Sequence, residues 1–131
     1  MTATALIVDG RDAELRLAAA AVDSRRGAEL AADRVPMPKF YDPRLAAIVQ
    51  SAALCPATDT ETRISWIAAA TGEYRTALLW LVTLERRALV DESGHYARLV
   101  LDAADRRSAI AAHLDELERL TGVRLDEIGA A

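Results

Sequence analysis

Two histidines, His95 and His113, and one cysteine, Cys55, are the side chains of this chain best suited to ligate a metal or act as nucleophiles. His113 precedes Glu116 by three residues, which reverses the Glu-x-x-His order of di-iron helical bundles, and no second copy occurs. Neither histidine has a neighbour at metal-ligand spacing, so both read as surface residues. A lone cysteine forms no intramolecular disulfide, and Cys55 reads as a small buried hydrophobe. Asp102, Asp105, Asp115, Glu116 and Glu118 alternate with Arg106, Arg107 and Arg119 around one helical stretch, the pattern of a solvated face laced with ion pairs. Phosphate loops of the Walker type, G-x-S-x-G and G-x-G-x-x-G are all missing from the sequence. The expectation is a chain that is not an enzyme on its own, with no catalytic or metal residues, no cofactor and no small-molecule substrate. What chemistry remains is cationic and aromatic: Tyr74, Arg75 and Thr76, then Arg86, Arg87 and Arg98, are of the types that meet base edges and phosphates of DNA.

Those residues need elements to hold them. At 131 residues, 52% apolar and 27% charged, the chain has the balance of one globular domain. No apolar run reaches the roughly 20 residues of a membrane span, and the first residues lack the basic region of a signal peptide, so a cytoplasmic protein is expected, with no membrane partner. The net charge of −4 argues against a surface built entirely to trap polyanions.

The pattern predicts an all-α fold, a compact bundle of about six helices. Residues 1–11 read as a weakly ordered N-terminal arm, 12–122 as a single helical domain, and 123–131 as a tail. Within the domain, 12–54 hold the first helices. Asp12 caps an alanine-rich helix to Val22, and Ser24 caps a second one to Arg34, with Gly27 a soft spot and Leu30 its anchor. Pro36 and Pro38 then force an extended approach to Phe40 and Tyr41, two of the six aromatic residues. An aromatic pair at such a corner is expected to plug the core. Pro43 starts a third helix with Leu45, Ile48, Val49 and Ala52 on one face. Residues 59–100 form a helix-turn-helix-like segment: Asp59 or Thr60 caps a helix with Ile64, Ile67 and Ala68, Gly72 ends it, and a helix from about Glu73 to Ala88 carries Leu78, Leu81, Val82 and Leu84. Residues 95–100 read as a short strand or as the start of the last helix. Residues 101–121 form a long C-terminal helix with Ile110, Leu114 and Leu117 spaced for packing, stopped by Gly122.

Two resemblances follow from these motifs. Ile67-Ala-Ala-Ala-Thr-Gly72, then Glu73 to Leu78, resembles the helix, glycine turn and second helix of a winged-helix domain. Leu84 to Val90 followed by Asp91-Glu-Ser-Gly94-His-Tyr96 resembles a recognition helix running into a β-wing at 89–100. That resemblance implies a DNA-binding regulator, with Tyr74, Arg75 and Thr76 at base edges and Arg86, Arg87 and Arg98 on phosphates.

The second resemblance covers roughly 12–54 and 78–100. Glu14-Leu-Arg-Leu-Ala-Ala-Ala-Ala-Val-Asp23, Lys39-Phe40-Tyr41-Asp42-Pro43-Arg44 and Leu84-Glu-Arg-Arg-Ala-Leu89 with Gly94, Tyr96 and Leu99 look like the N-terminal domain of bacterial replicative helicases of the DnaB family. Phe40, Tyr41, Pro43, Gly94 and Tyr96 are its structural positions here, and Gly72 is that of the helix-turn-helix. The resemblance implies a non-catalytic module of DNA replication that forms homo-oligomers and docks a primase, helicase or helicase loader, either alone or as part of a longer helicase. The family's subunit-pairing hairpin would correspond to Leu101–Leu120. Of the two, this resemblance accounts for more of the chain. A third reading is a helical protein-interaction domain with no replication role.

Overall fold

The computed structural model describes residues 3–84 and 94–122, with the side chains of 3–9 and of Leu84 excepted. Six α-helices follow in chain order: α1 (Ala3–Asp23), α2 (Arg25–Arg34), α3 (Pro43–Leu54), α4 (Thr60–Thr71), α5 (Arg75–Leu84) and α6 (His95–Thr121), with a 3-10 turn at Met37–Lys39. Among the described residues there is no strand. Residues 95–100 are the first turns of α6, so the expected wing does not form there; its remaining positions, 89–93, lie outside the described residues, as do Arg86 and Arg87.

α1 is the central helix, packed against all five others. A helix surrounded in this way must be apolar around most of its circumference, and small side chains let its neighbours approach from several directions. Ala18, Ala19, Ala21 and Val22 are accordingly fully buried. The expected N-terminal arm is corrected here, because α1 is already helical at Ala3. Gly10 sits within it where α6 crosses: a Cβ at this position would lie 2.7 Å from the Ala103 Cβ, so glycine lets the two backbones come close.

Local stop and start signals set the remaining boundaries. The side chains of Ser24, Asp42 and Asp59 accept hydrogen bonds from the backbone N–H groups of Gly27, Arg44 and Thr62, capping α2, α3 and α4. Pro43 opens α3 as predicted. Gly72 closes α4 at φ 76°, a left-handed conformation costly for any residue with a Cβ. Leu45, Ile48, Val49 and Ala52 of α3, Ile64, Ile67 and Ala68 of α4, and Leu78, Leu81 and Val82 of α5 are buried, matching their helical spacing. On α2 the anchors are Ala28 and Ala31 rather than Leu30, which is half-buried. A Cβ at Gly27 would run into the Ala20 carbonyl, so the glycine allows α2 to sit tightly on α1.

The aromatic corner is split. Phe40 is buried in the core, whereas Tyr41 is 49% exposed. Consecutive residues in extended backbone point opposite ways, and the residue with the polar tip takes the solvent side. The expected two-ring plug is therefore one ring. Tyr96 is half-buried on the core, and its hydroxyl accepts from Arg16 Nη1 at 3.1 Å.

A buried cation ties three segments together. Arg63 is fully buried. It donates to the carbonyls of Ala21 (2.8 Å) and Val22 (3.0 Å) in the last turn of α1, to that of Ala52 (2.9 Å) in the last turn of α3, and to that of Ala57 (2.9 Å) in the following loop. Helix C-termini leave carbonyls without intrahelical partners and carry partial negative charge, so two of them facing one guanidinium offset its loss of hydration. Thr60 joins the same corner, donating to the Asp23 carbonyl at 3.1 Å.

Candidate interaction surface

α6 begins inside the bundle and leaves it. Ala97, Val100, Ala103 and Ala104 are buried against the core. Further along, Arg107 donates to the Lys39 carbonyl at 3.0 Å and lies 5.2 Å from the Tyr41 ring centroid, a cation–π contact. α1 runs antiparallel beside it, with Gly10 against Ala103 and Arg16 against Tyr96, so the start of α1 comes level with about Ile110. The turns beyond that point, residues 111–121, extend about 16 Å at 1.5 Å per residue.

The apolar stripe continues along this projection. Ile110, Leu114, Leu117 and Leu120 are 40, 43, 49 and 66% exposed. Ile110, Leu114 and Leu117 were expected to pack. Their spacing is right for packing, but among the described residues the buried side of α6 ends at Ala104. Periodicity reports that a face is apolar and does not report what it meets.

The remaining candidates are distributed over the surface. Tyr74, Arg75 and Thr76 stand exposed at the start of α5. Arg98 is exposed on α6, a helix that packs along α1. His95 and His113 are exposed, His95 lying against the Tyr96 ring with centroids 5.4 Å apart, and Cys55 is buried. Among the described residues, no group of three or more His, Cys, Asp or Glu side chains is placed to hold a metal ion. No helix among them is long and apolar enough to cross a membrane.

Beneath the base of α6 lies a carboxylate that the sequence reading did not single out. Glu14 is 1% exposed. The Asp42 backbone N–H donates to its Oε1 at 3.1 Å, while Oε2 has no hydrogen-bond partner among the described residues. Burial pushes the carboxyl above its ordinary value of 4.5, outweighing the backbone N–H groups of Asp42 and Tyr41 and the nearby Arg107 guanidinium, all of which favour the charged form. Because the folded value is the higher one, the native state binds the proton more tightly than the unfolded chain. Stability from this group is therefore greatest at low pH and declines as pH rises through the folded value. The expected result is that the stability difference between wild type and Glu14→Gln shifts in favour of wild type as pH is lowered from 7 toward 4. Urea titrations at three pH values check this, and a pH-independent difference would refute it.

At another edge of α1, Arg44 and Glu73 form a bidentate pair, Nε to Oε1 at 2.8 Å and Nη2 to Oε2 at 2.6 Å, linking the start of α3 to the α4–α5 turn. The pairing holds the Glu73 carboxyl below its usual range. Beside it, Trp80 is 57% exposed over a recess of about 190 Å³.

These features define a class: an all-α bundle around a central alanine-rich helix, with one long helix whose last turns carry an exposed leucine stripe. Compared with protein-family models, with curated proteins and with solved structures, the chain gives no significant match.

Proposed function

We propose that this chain is a non-catalytic assembly domain of the kind found at the N-terminus of DnaB-type replicative helicases, associating with copies of itself and docking a primase or loader. The observation that carries the reading is the leucine stripe on the projecting turns of α6. Solvating four large apolar side chains in one row is unfavourable, and burying each fully would contribute about 1.5–3 kcal/mol, an amount that side-chain ordering and lost rigid-body freedom reduce. The Phe40-Tyr41-Asp42-Pro43 corner supports the same reading. Its backbone meets Glu14 of α1 and its Tyr41 ring meets Arg107 of α6, so the motif that carries the helicase resemblance also fixes the direction of the projecting helix.

The projecting face is narrow, about 16 Å by one helix diameter, well below the roughly 800 Å² per partner of a standard interface. The expected self-association is therefore in the micromolar range and depends on concentration. Size-exclusion chromatography with light scattering, together with capture of purified bacterial primase and replicative helicase, tests the proposal. A protein that stays monomeric and retains neither partner overturns it.

A further inference from the structure

The two oxygens of the Glu14 carboxyl are unlike. Oε1 accepts from the Asp42 backbone N–H at 3.1 Å, while Oε2, on a side chain 1% exposed, has no hydrogen-bond partner among the described residues. A buried oxygen without a partner is tolerated far better on a neutral acid than on a carboxylate, whose charge has lost its hydration. We infer that Glu14 is a pH-sensitive latch at the base of α6: neutral, it lets the Tyr41-Asp42 corner and the adjoining turns of α6 close on α1, and ionised, it favours their opening to water. Three segments meet at this point. Glu14 is on α1, Asp42 belongs to the corner ahead of α3, and Arg107 of α6 reaches the same corner at the Lys39 carbonyl and the Tyr41 ring. The buried residues of α6 are Ala97, Val100, Ala103 and Ala104. Such small side chains contribute little apolar area, so the cost of one buried charge counts in whether this stretch stays closed.

Neighbouring charges temper the direction without reversing it. Burial opposes the charged form and outweighs the rest; the Asp42 and Tyr41 N–H groups and the Arg107 guanidinium favour that form, and the Asp42 carboxylate opposes it. The closed carboxyl therefore lies above its ordinary value of 4.5. Elsewhere around α1 the charges answer one another: Arg44 at the start of α3 donates to Glu73 of the α4–α5 turn, and Arg16 donates to Asp12 on α1 itself. Arg11, one turn before Glu14, is exposed, as are Asp102, Asp105 and Arg106 on α6 and Arg75 on α5. α2 and α4 meet α1 nearer its other end, at Ala20 and at the Ala21 and Val22 carbonyls. Once this stretch opens, the Glu14 carboxyl regains water and its ordinary value. A closed form that binds the proton more tightly than the open one is favoured at low pH and loses ground as pH rises through the closed-form value. One proton changes such an opening constant by at most about tenfold per pH unit.

Amide hydrogen exchange, resolved by residue and corrected at each pH for the intrinsic rate, tests the latch. The Asp42 N–H, bonded to Glu14 itself, and the amides of Ala103 and Ala104 report the opening of this stretch, with the buried Ile67 of α4 as the reference for the rest of the core. From about pH 4.5 to about pH 7.5, across the range in which a raised carboxyl titrates, the wild-type opening constants at these three amides are expected to rise. Those of Glu14→Gln are expected to stay level. Arg107→Gln removes a group that favours the charged form, so its rise is expected at higher pH than in wild type, even where the loss of the Lys39 contact loosens α6 throughout. A merely structural role would leave that midpoint in place. Wild-type constants that do not change with pH, a Glu14→Gln variant with the same pH dependence, an Arg107→Gln rise at the same or lower pH, or an Asp42 amide that opens only together with Ile67 would each overturn the latch. The readout concerns the chain alone, so its outcome is separate from that of the association proposed above.

Discussion

Replacing Arg63 with methionine is expected to destabilise the fold by about 4 kcal/mol, the largest effect of any single side chain described above. Two contributions compete. Methionine removes a charge from the interior, and a buried ion costs several kcal/mol before its interactions are counted. It also strips the Arg63 donor from the carbonyls of Ala21, Val22 and Ala57, and from that of Ala52, which keeps the Cys55 backbone N–H, and each buried carbonyl left unsatisfied costs about 1–3 kcal/mol. The second contribution wins because the carbonyls of Ala21, Val22 and Ala57 lose their donor together, while Thr60 reaches only the neighbouring Asp23 carbonyl. At about 4 °C per kcal/mol for a chain of this length, the melting temperature should fall by about 15 °C. Arg63→Lys should recover only part of the loss, since one ammonium cannot span carbonyls on α1, α3 and the loop after α3. Thermal and urea denaturation followed by circular dichroism checks both variants. A methionine variant within about 1 kcal/mol of wild type would show that the guanidinium is not what joins these helices.

Phe40→Ala is expected to cost about 3 kcal/mol, the lower end of the range for deleting a buried phenylalanine. The ring is 7% exposed and packs beside Val35 and Val49, on the inner side of a groove of about 260 Å³ between α2 and α3. Because that groove reaches the surface, water can fill part of the space left behind, which removes some of the cavity penalty. Tyr41→Ala should cost far less, under about 1 kcal/mol, since it removes an exposed ring and its cation–π contact with Arg107. Chemical denaturation of the two variants side by side gives the comparison. Equal losses would mean that the corner is held by both rings, as the sequence alone suggests.

How far the sequence reaches is clear from these residues. Ser24, Asp59, Gly72 and Gly122 are legible because a cap acts within three or four residues of its own position, and Pro43 is legible for the same reason, whereas Asp12, read as a cap, lies inside α1 and pairs with Arg16. Arg63 is hidden because its partners are main-chain carbonyls up to 42 residues away, which leave no side-chain signature. One signal was available: Arg63 falls four residues before Ile67, on the apolar stripe of α4, where an exposed arginine would be out of place. Glu14 likewise sits on the buried side of α1, four residues before Ala18. The misplaced expectation for Ile110, Leu114 and Leu117 has a different origin. A leucine stripe reports an apolar face, and only the three-dimensional length of α1 beside α6 shows that these side chains stand 40, 43 and 49% exposed.

The central claim is that the chain works by association through that stripe, and sedimentation equilibrium on wild type beside Leu114→Asp/Leu117→Asp tests it most directly. The account predicts a weight-average mass that rises above the 14.2 kDa of the monomer through the micromolar range for wild type, and a variant that keeps its helix content but stays at the monomer mass. Wild type at the monomer mass throughout, or a variant that associates equally well, would contradict it.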